Sequence, residues 1–486
     1  MTNANLYQLF RERTAPYAAD TFLETADAAY TYGDLDAESG RIARLLRDQG
    51  VEPGDRVIVQ VEKSPAAVFL YLACLRAGAI YIPLNTAYTP AEVDYFVGDA
   101  EPALMIVRSK SQVDLGRIAA ERKVPTLLTL DADGSGTLAD AASGLTPDPG
   151  IEPRGPDDIA AILYTSGTTG RSKGAMLSHD NLSSNALTLH DYWGFVPGDV
   201  LLHILPIYHV HGLFVALHTA ILNASRIIFH DRFDPARLVA DLPRATVLMG
   251  VPTHYVRLLD QDGFDTPACA GMRLFVSGSA PLLADTFEAF QARTGHTILE
   301  RYGMTEAGMI TSNPYDGARI AGTVGYPLPG VSARVVGEDG REVPRGEAGV
   351  LEITGPNVFK GYWRMPEKTA AEFRADGYFI TGDVATMAED GRVAIVGRAK
   401  DLIISGGLNV YPKEIESLID DLPGVKESAV IGVPHPDFGE GVTAVIVPDG
   451  TTEVAAEAVS AFLKDKLATF KQPKTVLFVD ELPRNT

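Results

Sequence analysis

The chain has 486 residues, 46% hydrophobic and 22% charged, with a formal net charge of -21 at pH 7. That length exceeds one ordinary core, so two or three domains are expected. The acidity disfavours nucleic acid and anionic membranes as partners, and an anionic small ligand must be held by local cations against the field of the whole chain. The two cysteines, Cys74 and Cys269, have a spacing that suggests neither a disulfide framework nor a metal site. No signal peptide is visible at the start and no apolar run reaches membrane-spanning length, so the cytoplasm is the expected compartment.

In chain order, Arg56–Val61 reads as a strand, Ala67–Arg76 as a helix, Ala79–Leu84 as a strand, Ala91–Val97 as a helix and Ala103–Val107 as a strand. This alternation predicts βα units and parallel sheets covered by helices. Asp131–Gly155, rich in Gly, Asp and Pro, reads as loops. The rhythm returns with strands at Val200–Leu205, Arg226–Phe229, Thr246–Met249 and Arg273–Val276. After residue 320 the texture becomes short β-rich runs with Gly/Pro/Asp turns, at Ala333–Val336, Gly349–Thr354, Tyr378–Thr381 and Val393–Val396, with Asp390-Gly391 as a hairpin turn. A boundary is expected near Gly397–Asp401. Beyond it, a helix from Pro412 and strands at Ser428–Val433 and Val442–Val447 make a small α+β unit. The expected fold is therefore α/β. A large N-terminal domain, 1–398, combines parallel α/β sheets with a β-rich layer, a small mobile domain spans 401–486, and a hinge lies near residue 400.

Chemistry concentrates in six segments. Tyr164-Thr-Ser-Gly-Thr-Thr-Gly-Arg-Ser-Lys-Gly174 follows an apolar strand with backbone N–H groups, hydroxyls and cations together, the donors a polyphosphate needs. It lacks the Gly-Lys-Ser/Thr spacing of a Walker A loop, and a flexible linker would not need Arg171 and Lys173. Leu205-Pro-Ile-Tyr-His-Val-His-Gly212 reads equally well as a functional histidine pair or a surface turn. Phe275-Val-Ser-Gly-Ser-Ala-Pro-Leu282 runs a strand into small residues that let a flat ligand approach the backbone. Glu300-Arg-Tyr-Gly-Met-Thr-Glu306 sets a carboxylate where a phosphate-bound cation such as Mg²⁺ would need one. In Tyr378-Phe-Ile-Thr-Gly-Asp383, Asp383 ends an extended segment and could bind ribose hydroxyls or cap a turn. Gly397–Glu416 is dense in charge and glycine at the expected boundary.

In this order and spacing the segments resemble the adenylate-forming superfamily of acyl-CoA synthetases, luciferases and peptide-synthetase adenylation domains, over nearly the whole chain. Asn85-Thr-Ala-Tyr88, Leu205–His209, Gly250-Val-Pro-Thr253 and Val358–Lys368 resemble the malonyl-CoA synthetases in particular. The resemblance implies two half-reactions with ATP, Mg²⁺ and CoA. A carboxylate attacks the α-phosphorus of ATP to give acyl-AMP and pyrophosphate, and the CoA thiol then displaces AMP.

It also implies roles. Thr165, Ser166, Gly167, Thr168, Thr169 and Lys173 cradle the phosphates. Gly278, Ser279, Ala280 and Pro281 wall the adenine side, and Tyr302 stacks on the base. Thr305 meets the α-phosphate and Glu306 holds Mg²⁺. Asp383 and Arg398 bind ribose, Lys400 is the hinge, and Gly406 and Gly407 line the thiol tunnel. Malonate carries a second carboxylate that needs a buried partner. Arg257 is the expected one, with Ser279 and His209 completing the cage. Members of such families continue after Pro-Arg-Asn-Thr with Gly-Lys and a further lysine, the first lysine reaching the α-phosphate. The sequence as written stops at Pro483-Arg-Asn-Thr486. It is therefore expected to adenylate poorly while still converting preformed acyl-AMP to thioester. A ligase for methylmalonate, a short-chain acid or an aryl acid is the alternative within this class; an adenylate-binding or carrier-loading module is the alternative outside it.

Overall fold

The computed structural model describes residues 3–165, 171–280, 282, 284–337, 339–398, 403–410, 412–450, 452 and 454–482. Its first layer is a six-stranded sheet in the order Thr126–Thr129, Leu104–Val107, Arg56–Gln60, Ile80–Pro83, Ile159–Thr165 and Lys173–Ser178. All pairs are parallel except the last, an antiparallel hairpin with Thr165 opposite Lys173. Apolar residues occupy both faces of these strands, as burial beneath helices on both sides requires. The helix Pro65–Ala77 is apolar nearly all round and almost wholly buried. Its start is set by Ser64, whose hydroxyl accepts from the Ala67 amide, and by Pro65. Its end is set by Gly78 at φ 71°.

The second layer is a nine-stranded sheet. Its centre is parallel, in the order Leu299–Met304, Leu274–Ser277, Val247–Gly250, Val200–His203, Arg226–Phe229 and Thr21–Glu24. From Val200–His203 the chain moves to Arg226–Phe229 on one side, then crosses to Val247–Gly250 on the other. The loops leaving the carboxyl ends of Val200–His203 and Val247–Gly250 therefore diverge, and a crevice opens between them, the usual ligand position in an open α/β sheet.

Ser332–Val336, Ala348–Thr354, Phe379–Met387 and Val393–Arg398 form an antiparallel four-stranded layer. Residues from 403 onward build a separate five-stranded sheet, helices Pro412–Asp420 and Ala456–Lys464, and their own core around Ile403, Ile415, Ile419, Val442, Ile446 and Leu463. The fold is a large α/β unit with a β-rich layer and a smaller C-terminal α+β unit.

Two expectations need correction. Asp131–Gly155 is not all loop, since Thr137–Ala142 is helical. Asp383 does not end its extended segment: the strand continues to Met387, placing Asp383 mid-strand and opposite Arg398. Gly382 at φ 74° reads locally as a stop, but it sits beside a register shift that the neighbouring strands carry. No helix among the described residues is long and apolar enough to cross a membrane.

Candidate active site

The phosphate end is built on the Ile159–Thr165/Lys173–Ser178 hairpin. Thr165 and Lys173 face each other across it, the Thr165 hydroxyl donating to the Lys173 carbonyl at 3.4 Å. Ser166, Gly167, Thr168 and Thr169 lie outside the described residues. Lys173 is buried, its Nζ 3.2 Å from Glu372 Oε1 and 4.2 Å from the centre of the Tyr362 ring. The Tyr362 hydroxyl donates to Glu372 Oε2 at 2.7 Å and lies 3.0 Å from Glu306 Oε1. Burial raises the Glu306 carboxyl above the ordinary range. Burial acts in the same sense on Glu372, but Lys368, Tyr362 and Lys173 outweigh it and hold that group low. Thr305 and Glu306 sit in the turn between Leu299–Met304 and Gly308–Ser312, at the carboxyl end of a parallel strand. Among the described residues no cluster of three or more His, Cys, Asp or Glu could form a metal cage. One or two carboxylates beside a polyphosphate loop do suit Mg²⁺, which takes the rest of its ligands from substrate phosphates and water.

The nucleoside corner joins two layers. The Tyr302 hydroxyl donates to the Asp383 carboxylate, so the residues expected at base and ribose are direct neighbours. Asp383 is buried, and its amide is fixed by the Thr381 hydroxyl at 3.1 Å. Arg398 enters this corner by backbone register; Pro281 and Lys400 lie outside the described residues.

The acid end forms around the crevice. Ser277 pairs in register with Glu300, which brings the next residues, Gly278 and Arg301, together. Arg301 is 3% exposed, and a Cβ on Gly278 would lie 2.4 Å from its Cζ, so the guanidinium fits only against a bare Cα. Its Nε and Nη2 have no hydrogen-bonding partner among the described residues. Burial pulls its pKa down to about 9, still above neutrality, and the group stays charged.

Ser279, at φ 70°, places its hydroxyl 3.4 Å from Nδ1 of His211, whose Nε2 is likewise unpartnered among the described residues. His209 accepts from the His211 amide at 3.4 Å; desolvation, then Arg301, lowers it to about 4, and His211 is lowered for the same reasons. These imidazoles are neutral at pH 7.

The histidine segment is therefore no surface turn. His211–Leu217 is a buried π-helix, seated by the Gly212 carbonyl lying 2.9 Å from His203 Nε2 and by a glycine where a Cβ would meet the Pro206 carbonyl at 2.1 Å.

Arg257 projects from the exposed face of the helix Pro252–Leu259, whose start lies at the crevice mouth, while Tyr255 and Leu258 take the buried face. The buried guanidinium of the acid end is Arg301. Arg301, His211 and Tyr362 stand within the segments singled out in the sequence, but without roles of their own there, and Glu372 lies outside those segments. Arg301 follows Glu300 in the chain and meets Gly278 only through sheet register, so neither it nor Glu372 carries a local signal.

Gly406 and Gly407, at φ 60° and 75°, form the turn between Ile403–Ser405 and Leu408–Val410. A Cβ on Gly407 would lie 3.5 Å from the Val251 side chain, so the small unit meets the large one at the crevice mouth.

Residues 10–363 match the AMP-binding enzyme family, and residues 414–486 match the AMP-binding enzyme C-terminal domain. A feruloyl-CoA synthase of Amycolatopsis sp is 37% identical over 477 residues, covering 97% of this chain and 94% of that one. A malonate–CoA ligase of Arabidopsis thaliana is 34% identical over 505 residues, covering 94% and 82%. ATP-bound MatB from Rhodopseudomonas palustris aligns with a TM-score of 0.81 at 56% identity, covering 100% of this chain and 96% of that one.

Proposed function

The chain belongs to the AMP-binding enzyme family of acid–thiol ligases, and from that premise we propose that its acid is malonate, joined to CoA through malonyl-AMP. The observation that carries this reading is the buried, charged Arg301, packed against Gly278 with two nitrogens unpartnered among the described residues, whose charge helps to lower His209 and His211. A charge held there without a partner is costly unless a ligand supplies one. A carboxylate matches the guanidinium fork, and a neutral aryl or alkyl acid leaves it unpaired. Similarity to both a malonate–CoA ligase and a feruloyl-CoA synthase leaves the acid to be decided by this pocket.

In the proposed mechanism Arg301 holds the carboxylate that does not react, with the Ser279 hydroxyl and the neutral His209 and His211 positioned around it. The free carboxylate is thereby directed at the α-phosphorus, and pyrophosphate leaves. Lys173 leaves Glu372 for the phosphates, Thr165 and Thr305 supply hydroxyl donors, and Asp383 with Arg398 holds the ribose beside Tyr302. Glu306 would hold Mg²⁺, which neutralises phosphate charge when bound. The small unit turns about Lys400 between the half-reactions, and Gly406 and Gly407 leave a side-chain-free path for the thiol to reach the acyl carbonyl and expel AMP.

The test presents the protein with CoA and a panel of synthetic acyl adenylates: malonyl, methylmalonyl, acetyl, propionyl and feruloyl. Thioester yield is read by mass spectrometry. Malonyl-AMP is expected to exceed the monocarboxylates by at least about tenfold in kcat/KM. Equal or better turnover of feruloyl-AMP overturns the malonate reading.

A further inference from the structure

Outside the acid pocket, one buried ion cluster ties the two units together. Lys471, in the turn Thr469–Lys471 of the small unit, is 2% exposed. Its Nζ lies 2.9 Å from Glu414 Oε1, within the small unit, and 3.1 Å from Glu92 Oε1, on the large unit's helix Pro90–Ala100. The partners are themselves largely buried, with side chains 10% exposed at Glu92 and 13% at Glu414.

Glu92 divides its oxygens. Oε2 accepts from the Thr89 amide at 2.9 Å and the Thr89 hydroxyl at 3.0 Å, closing the capping box of its helix, which leaves Oε1 for the lysine. The Tyr88 ring lies 5.1 Å from Nζ. Burial opposes the ammonium charge, but Glu414, Tyr88 and Glu92 together hold the lysine pKa above its ordinary value; burial raises Glu414. The cluster thus balances only while Lys471 stays between both carboxylates.

Its anchor on the large unit is tied into the six-stranded sheet. Tyr88 closes a turn onto Asn85, whose carbonyl accepts from Gln60 at 2.8 Å and whose Oδ1 accepts from the Ala87 amide at 2.9 Å. In the same pose Gly407 rests against Val251.

We infer that Lys471 is a positioning residue for thioester formation: by bridging Glu92 and Glu414 it locks the small unit in the pose that sets the Gly406-Gly407 turn at the crevice mouth. The inference rests on the two-half-reaction reading above. A small unit that turns must pull Lys471 and Glu414 away from Glu92 together. Glu92 keeps its capping role after release, so the latch opens without disrupting the large unit. A buried pair that loses one partner is far weaker than the intact pair, so the lock is sensitive to a single neutral substitution.

The test uses the whole chain and the Glu92→Gln variant, which retains a capping side chain. Thioester formation from malonyl-AMP and CoA is expected to fall about 10- to 100-fold in kcat. Affinity for malonyl sulfamoyl adenosine, held by the large unit, should change by less than about twofold. Unchanged thioester formation, or an equal loss of adenylate-mimic affinity, overturns the inference. A second reading does not depend on the acid. Acetic anhydride labelling of Lys471, followed by mass spectrometry, should quicken at least about fivefold in Glu92→Gln because the buried amine is released. An unchanged labelling rate overturns the latch even if the malonate reading stands. If the wild type makes no thioester from malonyl-AMP, the malonate reading fails, and the labelling rate alone decides the latch.

Discussion

The phosphate end and the acid end use positive charge in opposite ways. At the phosphate end Lys173 is already paired with Glu372, and Tyr362 bridges Glu372 to Glu306. A nucleotide there competes with an existing ion pair. At the acid end Arg301 is buried with two nitrogens unpartnered among the described residues, so its desolvation cost is met on folding and not on binding. A pre-paired cation suits a ligand that must come and go as triphosphate, pyrophosphate and AMP. An unpaired one suits a pocket that must reject acids lacking a second charge, since the wrong ligand leaves the guanidinium unsatisfied.

The strongest way to break this comparison is Arg301→Leu. It should lower kcat/KM for malonyl-AMP by about 10²- to 10³-fold and that for acetyl-AMP by less than about threefold. The same change should raise stability by about 1–3 kcal/mol in urea titrations, because an unpaired buried charge is removed. Loss of stability together with equal losses on both substrates would make Arg301 a structural residue. Next in size is Gly278→Ala. The added Cβ displaces the guanidinium, and discrimination between malonyl-AMP and acetyl-AMP should shrink by about 10- to 100-fold with little change in Tm. Arg257→Ala sharpens the contrast between a buried and an exposed arginine, with an expected loss for malonyl-AMP no greater than about tenfold. At the phosphate end, Glu372→Gln frees Lys173, and calorimetry should find ATP bound about 3- to 10-fold more tightly. The smallest effect concerns pH. His209 titrates near 4, below the ordinary histidine value of 6.5, and so stays neutral above about pH 5. The pH profile of thioester formation should therefore lack a histidine limb between about pH 5.5 and 7.5; an inflection near 6.5 that vanishes in His209→Asn would contradict the buried, neutral imidazole.

Much of the architecture was legible because its signals are local. The alternation from Arg56 to Val107 became strand, helix, strand, helix, strand, each placed within a few residues, since a parallel layer needs apolar runs at those positions. Asp390-Gly391 does close a hairpin, with the Ala388 amide bonded to the Arg392 carbonyl. The glycine-rich segment from Tyr164 pointed to a ligand loop by composition, and the structure describes the hairpin strands that flank it. The histidine segment stayed open between a functional pair and a surface turn because a π-helix leaves no periodic trace in seven residues, and its burial comes from packing against other elements.

What the sequence by itself determined is the order of strands, the glycine-rich loops and the chemical inventory offered to a nucleotide, since these follow from backbone propensity and neighbouring residues. Tertiary structure alone decided which charges meet. Arg257 stands between Val256 and Leu258 and Arg301 between Glu300 and Tyr302, and neither setting announces burial. One falls on the outer face of a helix, while the other stands near the end of a parallel strand against a bare glycine. Lys471 and Glu92 lie 379 positions apart and meet at 3.1 Å. Charge–charge energy depends on separation and burial, and both are set only when the sheets and the small unit pack together.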